Sequence, residues 1–353
     1  VPSGVGSKGR LRLTKAELEE ALVGGVEWAV EQGYGREDDI NHCEENGKME
    51  GADPSKVSDK AIKRGLPQFG TLGAGNHFLE VQRVSDVYDE ETAKRFGLSK
   101  DQVVVMIHCG SRGFGHQVCD DYIRKMLEYD RKNNLPLKDL ELCYGPIGSK
   151  VAEDYVGAMK CAVNYAFTNR HIIMHWVRES FDTVFGNDVS EEMRLVYDVA
   201  HNIAKFEEHN VDGKRMKLVV HRKGATRAFA AGRPELPEVY RDVGQPVLIP
   251  GSMGTASYVL VGEEKGMNLT FGSTCHGSGR VMSRHAAVRA YPWREVKEKL
   301  GQKGIVLWAA DRRVISEEAP EAYKDIDDVI DSVVRAGISR SVARMVPLGV
   351  VKG

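Results

Sequence analysis

The chain has 353 residues, 42% hydrophobic and 28% charged, with a formal net charge of −2. That length supplies a sizeable core, in one large domain or two average ones, and the near-neutral balance excludes a generally basic nucleic-acid binder, so any grip on RNA must come from local cation clusters. No run of roughly 18 apolar residues supports a membrane span and no basic-then-apolar leader supports secretion, while six scattered cysteines (Cys43, Cys109, Cys119, Cys143, Cys161, Cys275) without a Cys-x-x-Cys pair point to free thiols in the cytoplasm.

The opening residues, Val-Pro-Ser-Gly-Val-Gly-Ser-Lys-Gly, read as the interior of a longer protein. Thr14 and Glu17 form a capping box, Leu18, Leu22, Val26 and Ala29 follow at helical spacing, and Gly33 supplies a stop, predicting a helix over 15–32. The polar stretch 35–60 predicts a loop or short helices near the surface, with His42 and Cys43 in structural roles. Val103–Ile107 reads as a buried strand ending at His108. Helices are predicted over 115–130 and 150–180, separated by turns at 133–136 and 144–146. His171 and His175 share a face of the second helix, but without the glutamate of His-Glu-x-x-His they read as packed or surface residues. The run 196–200 is strand-like, and 195–275 is strand-rich, with strands at 218–221, 247–249 and 258–261. Late helices fall at 293–300 and 326–338. Strands in mixed order with helices gathered elsewhere predict an α+β protein, one large domain over 1–353 with mixed or antiparallel sheets and peripheral helices.

Four histidines carry the chemistry. His276 lies in Gly-Ser-Thr-Cys-His-Gly-Ser-Gly-Arg, which combines a nucleophilic imidazole, backbone that a ligand can approach closely and a fixed positive charge. His77 follows Gly75-Asn76 and precedes Glu80, His108 precedes Cys109-Gly110-Ser111-Arg112, and His201 precedes Asn202. Singly, each is more often a hydrogen-bonded structural histidine. Four of them at strand or loop ends point to convergence on one metal and phosphate pocket. Cation clusters at Lys63–Arg64, at Arg222, Lys223 and Arg227, at Arg280 and Arg284, and at Arg340 and Arg344 are candidate RNA contacts. Neither a Gly-x-x-x-x-Gly-Lys-Ser/Thr loop nor a strand-linked Gly-x-Gly-x-x-Gly occurs, so a triphosphate would be held another way.

The motifs Gly-Asn-His-Phe-Leu-Glu (75–80), His-Cys-Gly-Ser-Arg-Gly (108–113), Asp-Val-Ala-His-Asn (198–202), His-Arg-Lys-Gly-Ala-Thr-Arg (221–227), Pro-Gly-Ser-Met-Gly-Thr (250–255) and His-Gly-Ser-Gly-Arg (276–280) resemble, in order, those of the RtcB family of RNA-splicing ligases. The resemblance implies joining of a 3′-phosphate or 2′,3′-cyclic phosphate RNA end to a 5′-hydroxyl end, dependent on GTP and Mn2+, in tRNA splicing and RNA repair. It implies His276 as the residue that is guanylylated and His77, His108 and His201 as metal ligands. Asn76, Glu80, Ser252, Ser257, Tyr323, Lys352, Gly277 and Gly279 would then hold the nucleotide, with Tyr323 stacked on the base. Arg64, Gln68, Arg112, Lys223, Arg280 and Arg284 would contact phosphate or RNA backbone. RNA is the implied partner, with archease a further one as activator. The family also keeps an Asp-x-x-Cys-Gly pattern upstream, whose aspartate and cysteine complete its metal site; the expectation is that a segment carrying them is missing before Val1. Ser278 stands where the family motif commonly has alanine. Two other readings stay open: a metal-dependent phosphoesterase or nucleotidyl hydrolase, which would use water as nucleophile, and a noncatalytic RNA-binding fragment.

Overall fold

The computed structural model describes residues 1–186 and 188–353. The capping box opens α1 (Lys15–Glu31): Thr14 accepts from the Glu17 N–H, and the Glu17 carboxylate accepts from the Thr14 N–H at 2.7 Å. Leu18, Leu22, Val26 and Ala29 are fully buried, as their spacing predicts. The helix kinks at Gly25, whose φ of +59° and close approach to Gly47 O leave no room for a Cβ. Residues 35–60 do form short turns, at Glu37–His42, Glu44–Gly47 and Pro54–Lys56. They are not peripheral, however: Asp39, Cys43 and Glu44 are buried, because each charge finds a partner inside. Asp39 receives both guanidinium nitrogens of Arg178, at 2.6 and 2.8 Å. After α2 (Asp59–Gly65) come β1 (Phe78–Val87), α3 (Glu90–Arg95), β2 (Val103–His108), α4 (Arg112–Lys132) and the long α5 (Lys150–Phe185). Helices α1, α2, α4 and α5 form a layer around Leu18, Leu22, Phe69, Phe114 and Tyr165.

The second half supplies β3 (Asn202–Val211), β4 (Lys214–Lys223), β5 (Ala225–Arg227), β6 (Pro246–Ile249), β7 (Ser257–Gly262), α6 (Glu264–Thr270), β8 (Ser273–Cys275), α7 (Arg284–Ala290), α8 (Trp293–Gln302), β9 (Val306–Ala309), α9 (Arg312–Glu317), α10 (Ile326–Ala336) and β10 (Ser339–Lys352). The main sheet runs β2-β1-β10-β7-β6 with antiparallel neighbours, and β9 joins the C-terminal half of β10 in parallel. Strands β3 and β4 form a separate ribbon, and β5 pairs with β8. The architecture is α+β, as expected. Three local expectations are corrected. Strand β2 lies at the sheet edge, so Val103 is exposed instead of buried. The run 196–200 has no ladder; it is held as a segment by the Cys43–Asp198 bridge, and the strand begins only at Asn202. Within the cation clusters, Arg222 (2% exposed) and Arg227 (1% exposed) are interior residues, paired with Glu207 and with Glu44 and Glu45. Arg340 and Arg344 are likewise engaged, by Asp89 and Glu263 and by Asp86 and Asp327. Arg222 and Arg227 are thus removed from the surface as RNA contacts, whereas Arg340 and Arg344 remain on it within ion pairs.

Candidate active site

Strand register gathers the histidines. Phe78 pairs with His108 across β1 and β2, which puts His77 and His108 at one sheet end. His201 immediately precedes β3, whose first residue Asn202 pairs with Lys223. The β5–β8 pairing brings Gly224, one residue before β5, against His276, one residue after β8. As a result, the His201 and His276 rings stack with centroids 4.4 Å apart, and His108 meets them edge-on at 5.1 and 6.2 Å. His77 lies one ring further out, 5.9 Å from His108.

Helix α5 holds these loops in place through two adjacent residues. Asn169 accepts from Thr71 N–H at 3.1 Å and donates to Thr71 O and Gly110 O, each at 3.2 Å. Arg170 donates to Asp198 at 2.6 Å and to Cys109 O at 3.1 Å. The segments bearing His77, His108 and His201 are thereby tied to one rigid element. Neither residue was singled out from the sequence, since both sit inside a helix whose neighbouring His171–His175 pair reads as packed or surface residues.

Burial lowers the pKa of all four imidazoles: His77 and His201 to about 3, aided by neighbouring Arg112 and His276 respectively, His108 well below its ordinary value, and His276 by a smaller amount. Neutral rings leave nitrogen lone pairs free for a metal or for phosphorus. Ligand atoms of His108, His201 and His276 lie within 4.8 Å of one another, and buried His77 Nδ1 has no hydrogen-bond partner among the described residues. This imidazole set fits a borderline divalent ion. The tightest trio thus contains His276, whereas His77, expected as a ligand, sits beside it.

A cleft of about 300 Å³ opens from the histidines. Its walls include Asn76, Glu80, Ser252, Gly277, Gly279, Tyr323 and Lys352, together with Lys223, Arg280 and Arg284. Ser257 lies behind the wall, its Oγ accepting from Gln82 at 3.0 Å and from Gly251 N–H at 3.2 Å. Arg64, Gln68 and Arg112 are grouped around Gly113, outside the cleft and beside His77: Arg64 donates to Gln117, Gln68 accepts from Gly113 N–H, and Arg112 donates to Thr71 and Gly4 O. Tyr323 is anchored through its hydroxyl, which donates to Glu318 and accepts from Arg280 at 3.1 Å. Lys352 is 4% exposed in β10, far from a frayed terminus.

Glu318 went unremarked in the sequence, where it looks like any acidic residue at a helix end. It is 1% exposed and organises the cations: Arg280 at 3.3 Å, Arg284 at 3.4 Å and Lys352 at 3.9 Å. One carboxylate facing three cations leaves the wall net positive, a surface suited to phosphate oxygens. Burial pushes Lys352 down to about 8 despite Glu318, and pushes Glu80 up to about 8.

The chain matches the family model described as tRNA-splicing ligase RtcB over residues 1–353. It is 61% identical to the tRNA-splicing ligase RtcB of Archaeoglobus fulgidus and 59% identical to that of Thermococcus kodakarensis, covering 100% of this chain and 73% of each relative. The Pyrococcus furiosus protein of the same name is 57% identical, with 37% of its own length covered. No helix among the described residues is long and apolar enough to cross a membrane. With its full length matched and the histidine-and-cation cleft in place, the chain belongs to the RtcB family.

Proposed function

We propose that this cleft joins RNA ends at the expense of GTP, with His276 as the nucleophile. By family the chain is an RNA ligase acting in tRNA splicing. The observation that carries the finer reading is a half-buried His276, its pKa lowered by loss of hydration, in one cleft with Lys223, Arg280, Arg284 and Lys352. Its imidazole nitrogen attacks the α-phosphorus of GTP; a P–N bond forms and pyrophosphate leaves, its charge met by the cations. A 2′,3′-cyclic phosphate end is opened by water to a 3′-phosphate. That phosphate displaces His276 from the GMP, and the 5′-hydroxyl of the second strand then attacks the activated end, releasing GMP.

Asn76, Glu80, Ser252 and Lys352 bind the nucleotide in this reading, with Gly277 and Gly279 letting its phosphates approach the backbone and Ser257 supporting the wall from behind. Tyr323 stacks on the base. Arg64, Gln68 and Arg112 follow the RNA backbone, and a guanidinium suits its phosphates without reading sequence. His77, His108 and His201 would hold divalent metal, manganese in this reading, which when bound polarises phosphoryl oxygens as a Lewis acid. An activator of the archease type belongs to the same proposal.

The test is the intact mass of the protein after incubation with GTP and manganese, beside His276→Ala. The expected result is one GMP on the parent and none on the variant, with end joining lost in parallel. GTP turned over by both without an adduct would instead identify a hydrolase.

A further inference from the structure

The β3–β4 ribbon is patterned inside out. Directly paired residues on an antiparallel ribbon share a face, so Lys205, Glu207 and His209 on β3 lie on the same side as Val220 and Arg222 on β4. This side is buried, and its charges are satisfied there: Lys205 by Glu44 and Glu45, Glu207 by Arg222 and His209. The opposite side faces solvent and carries Phe206, 61% exposed, paired with Val219. A one-sided ribbon ordinarily buries its aromatic residue and exposes its charges. Here folding gains little from Phe206, and the aromatic face is offered outward.

Its surroundings indicate what it is offered to. On the same outer face, His221 and Lys217 flank Val219, and Lys223 ends the row; all three are exposed. Glu208, the acid on this face, is taken by Arg215 toward the ribbon tip. At its other end the face runs into the catalytic cleft, which Asn202 and Lys223 both line. Four residues of strand separate Phe206 from Asn202, about 13 Å. A single exposed ring between cations, continuous with a phosphate-binding cleft, matches the stacking-plus-backbone chemistry of single-stranded nucleic-acid sites better than the broad apolar patch of a protein interface.

We infer that the outer face of the β3–β4 ribbon is a subsite for unpaired RNA, where Phe206 stacks on a base away from the reacting end and Lys217 and His221 follow the backbone. The inference rests on the RNA-ligase reading of the adjoining cleft. A stacked base contributes enough to make Phe206→Ala weaken binding about 5- to 100-fold, while Phe206→Tyr retains it.

The experiment compares parent, Phe206→Ala and Phe206→Tyr in anisotropy titrations with two 3′-phosphate RNAs: a dinucleotide, too short to reach the ring, and a longer unstructured strand. Weaker binding of the long strand alone, confined to the alanine variant, supports the subsite. Equal binding of the long strand by all three overturns it, and if Phe206→Ala then also abolishes self-association or capture of a protein, the face belongs to a protein partner. The GMP-adduct assay on the same preparations separates the two ideas. An adduct on parent and Phe206→Ala with unchanged RNA binding rejects the subsite and leaves the ligase reading; no adduct on either, with the length-dependent loss present, rejects the reading and leaves an RNA-binding ribbon.

Discussion

Glu80 shows how burial alone can give a carboxyl an unusual state. It is 2% exposed on β1, its Oε1 accepts from Gln82 at 2.7 Å, and the loss of hydration raises its pKa to about 8 despite that bond and Lys352. In the free protein it therefore holds its proton at neutral pH. If the nucleotide's N–H edge donates to this group, binding favours the carboxylate and must release that proton. GTP affinity should then rise with pH up to about tenfold per unit below about 8 and level off above it, and Glu80→Gln should flatten the profile. Calorimetric titration across that range checks it; a parent profile as flat as the variant's would remove Glu80 from base recognition. The histidines were legible without structure because glycine, asparagine or arginine beside them marks a site. Glu80 stood out with Asn76 and His77 as a polar group in an apolar, glycine-rich segment, whereas Tyr323 and Lys352 were legible only through the family resemblance, since a tyrosine and a penultimate lysine have ordinary explanations. Glu318 and Asn169 gave no signal, because burial decides their roles and burial is not written in a helix's polar positions.

At the scale of elements, α5 acts as the frame for three histidine-bearing segments. Removing the Asn169 side chain leaves Thr71 N–H and the Thr71 and Gly110 carbonyls short of partners in a buried setting. Asn169→Ala should therefore cost about 2–4 kcal/mol, as a lost network of buried hydrogen bonds does, read from denaturant unfolding. It should also weaken the proposed divalent-metal binding about 10- to 100-fold, the usual penalty for loosening what orients metal ligands. Arg170→Lys should weaken metal binding with less loss of stability, since a lysine can keep the Asp198 contact but not also reach Cys109 O. Metal affinity unchanged in both would mean that the strand ends alone set the histidine geometry. The longer helices were readable, α1 within one residue, because capping and apolar spacing are local, whereas the short α2, α3, α6, α7 and α9 were not, each offering too few turns for a periodic signal. The central strand β10 was not. Pro347 and Gly349 interrupt its pattern, and it tolerates them through a bulge, where its register with β1 shifts between Val81–Gly349 and Gln82–Pro347. Its place between β1 and β7 depends on partners far off in the chain, Phe78–Val87 on one side and Ser257–Gly262 on the other.

Across the whole molecule, a buried charge network joins the helical layer to the ribbon and the β5–β8 pair that carries His276. Glu44, fully buried, lies 2.9 Å from Lys205 on β3 and 3.2 Å from Arg227 on β5, and Glu45 meets the same two cations at 2.7 and 2.8 Å. Burial by itself would raise the pKa of Glu44, but Lys205 and Arg227 outweigh it and draw the value down to about 2. A carboxyl depressed in the folded state contributes stability that is complete above its unfolded value, near 4.5, and is lost as pH falls through about 2. That interval corresponds to about 3 kcal/mol, so denaturant midpoints should fall steadily across it. Glu44→Gln should lower stability at neutral pH by about 3–5 kcal/mol, because two buried cations lose half their compensation, and should remove this part of the acid dependence. The same variant should diminish the proposed GMP-adduct formation, since Gly224, just before β5, packs against His276 and β3 begins directly after His201. Stability curves of parent and variant that run parallel from neutral to acid pH would show that Glu45 alone neutralises Lys205 and Arg227, and that the layers are joined by apolar packing instead.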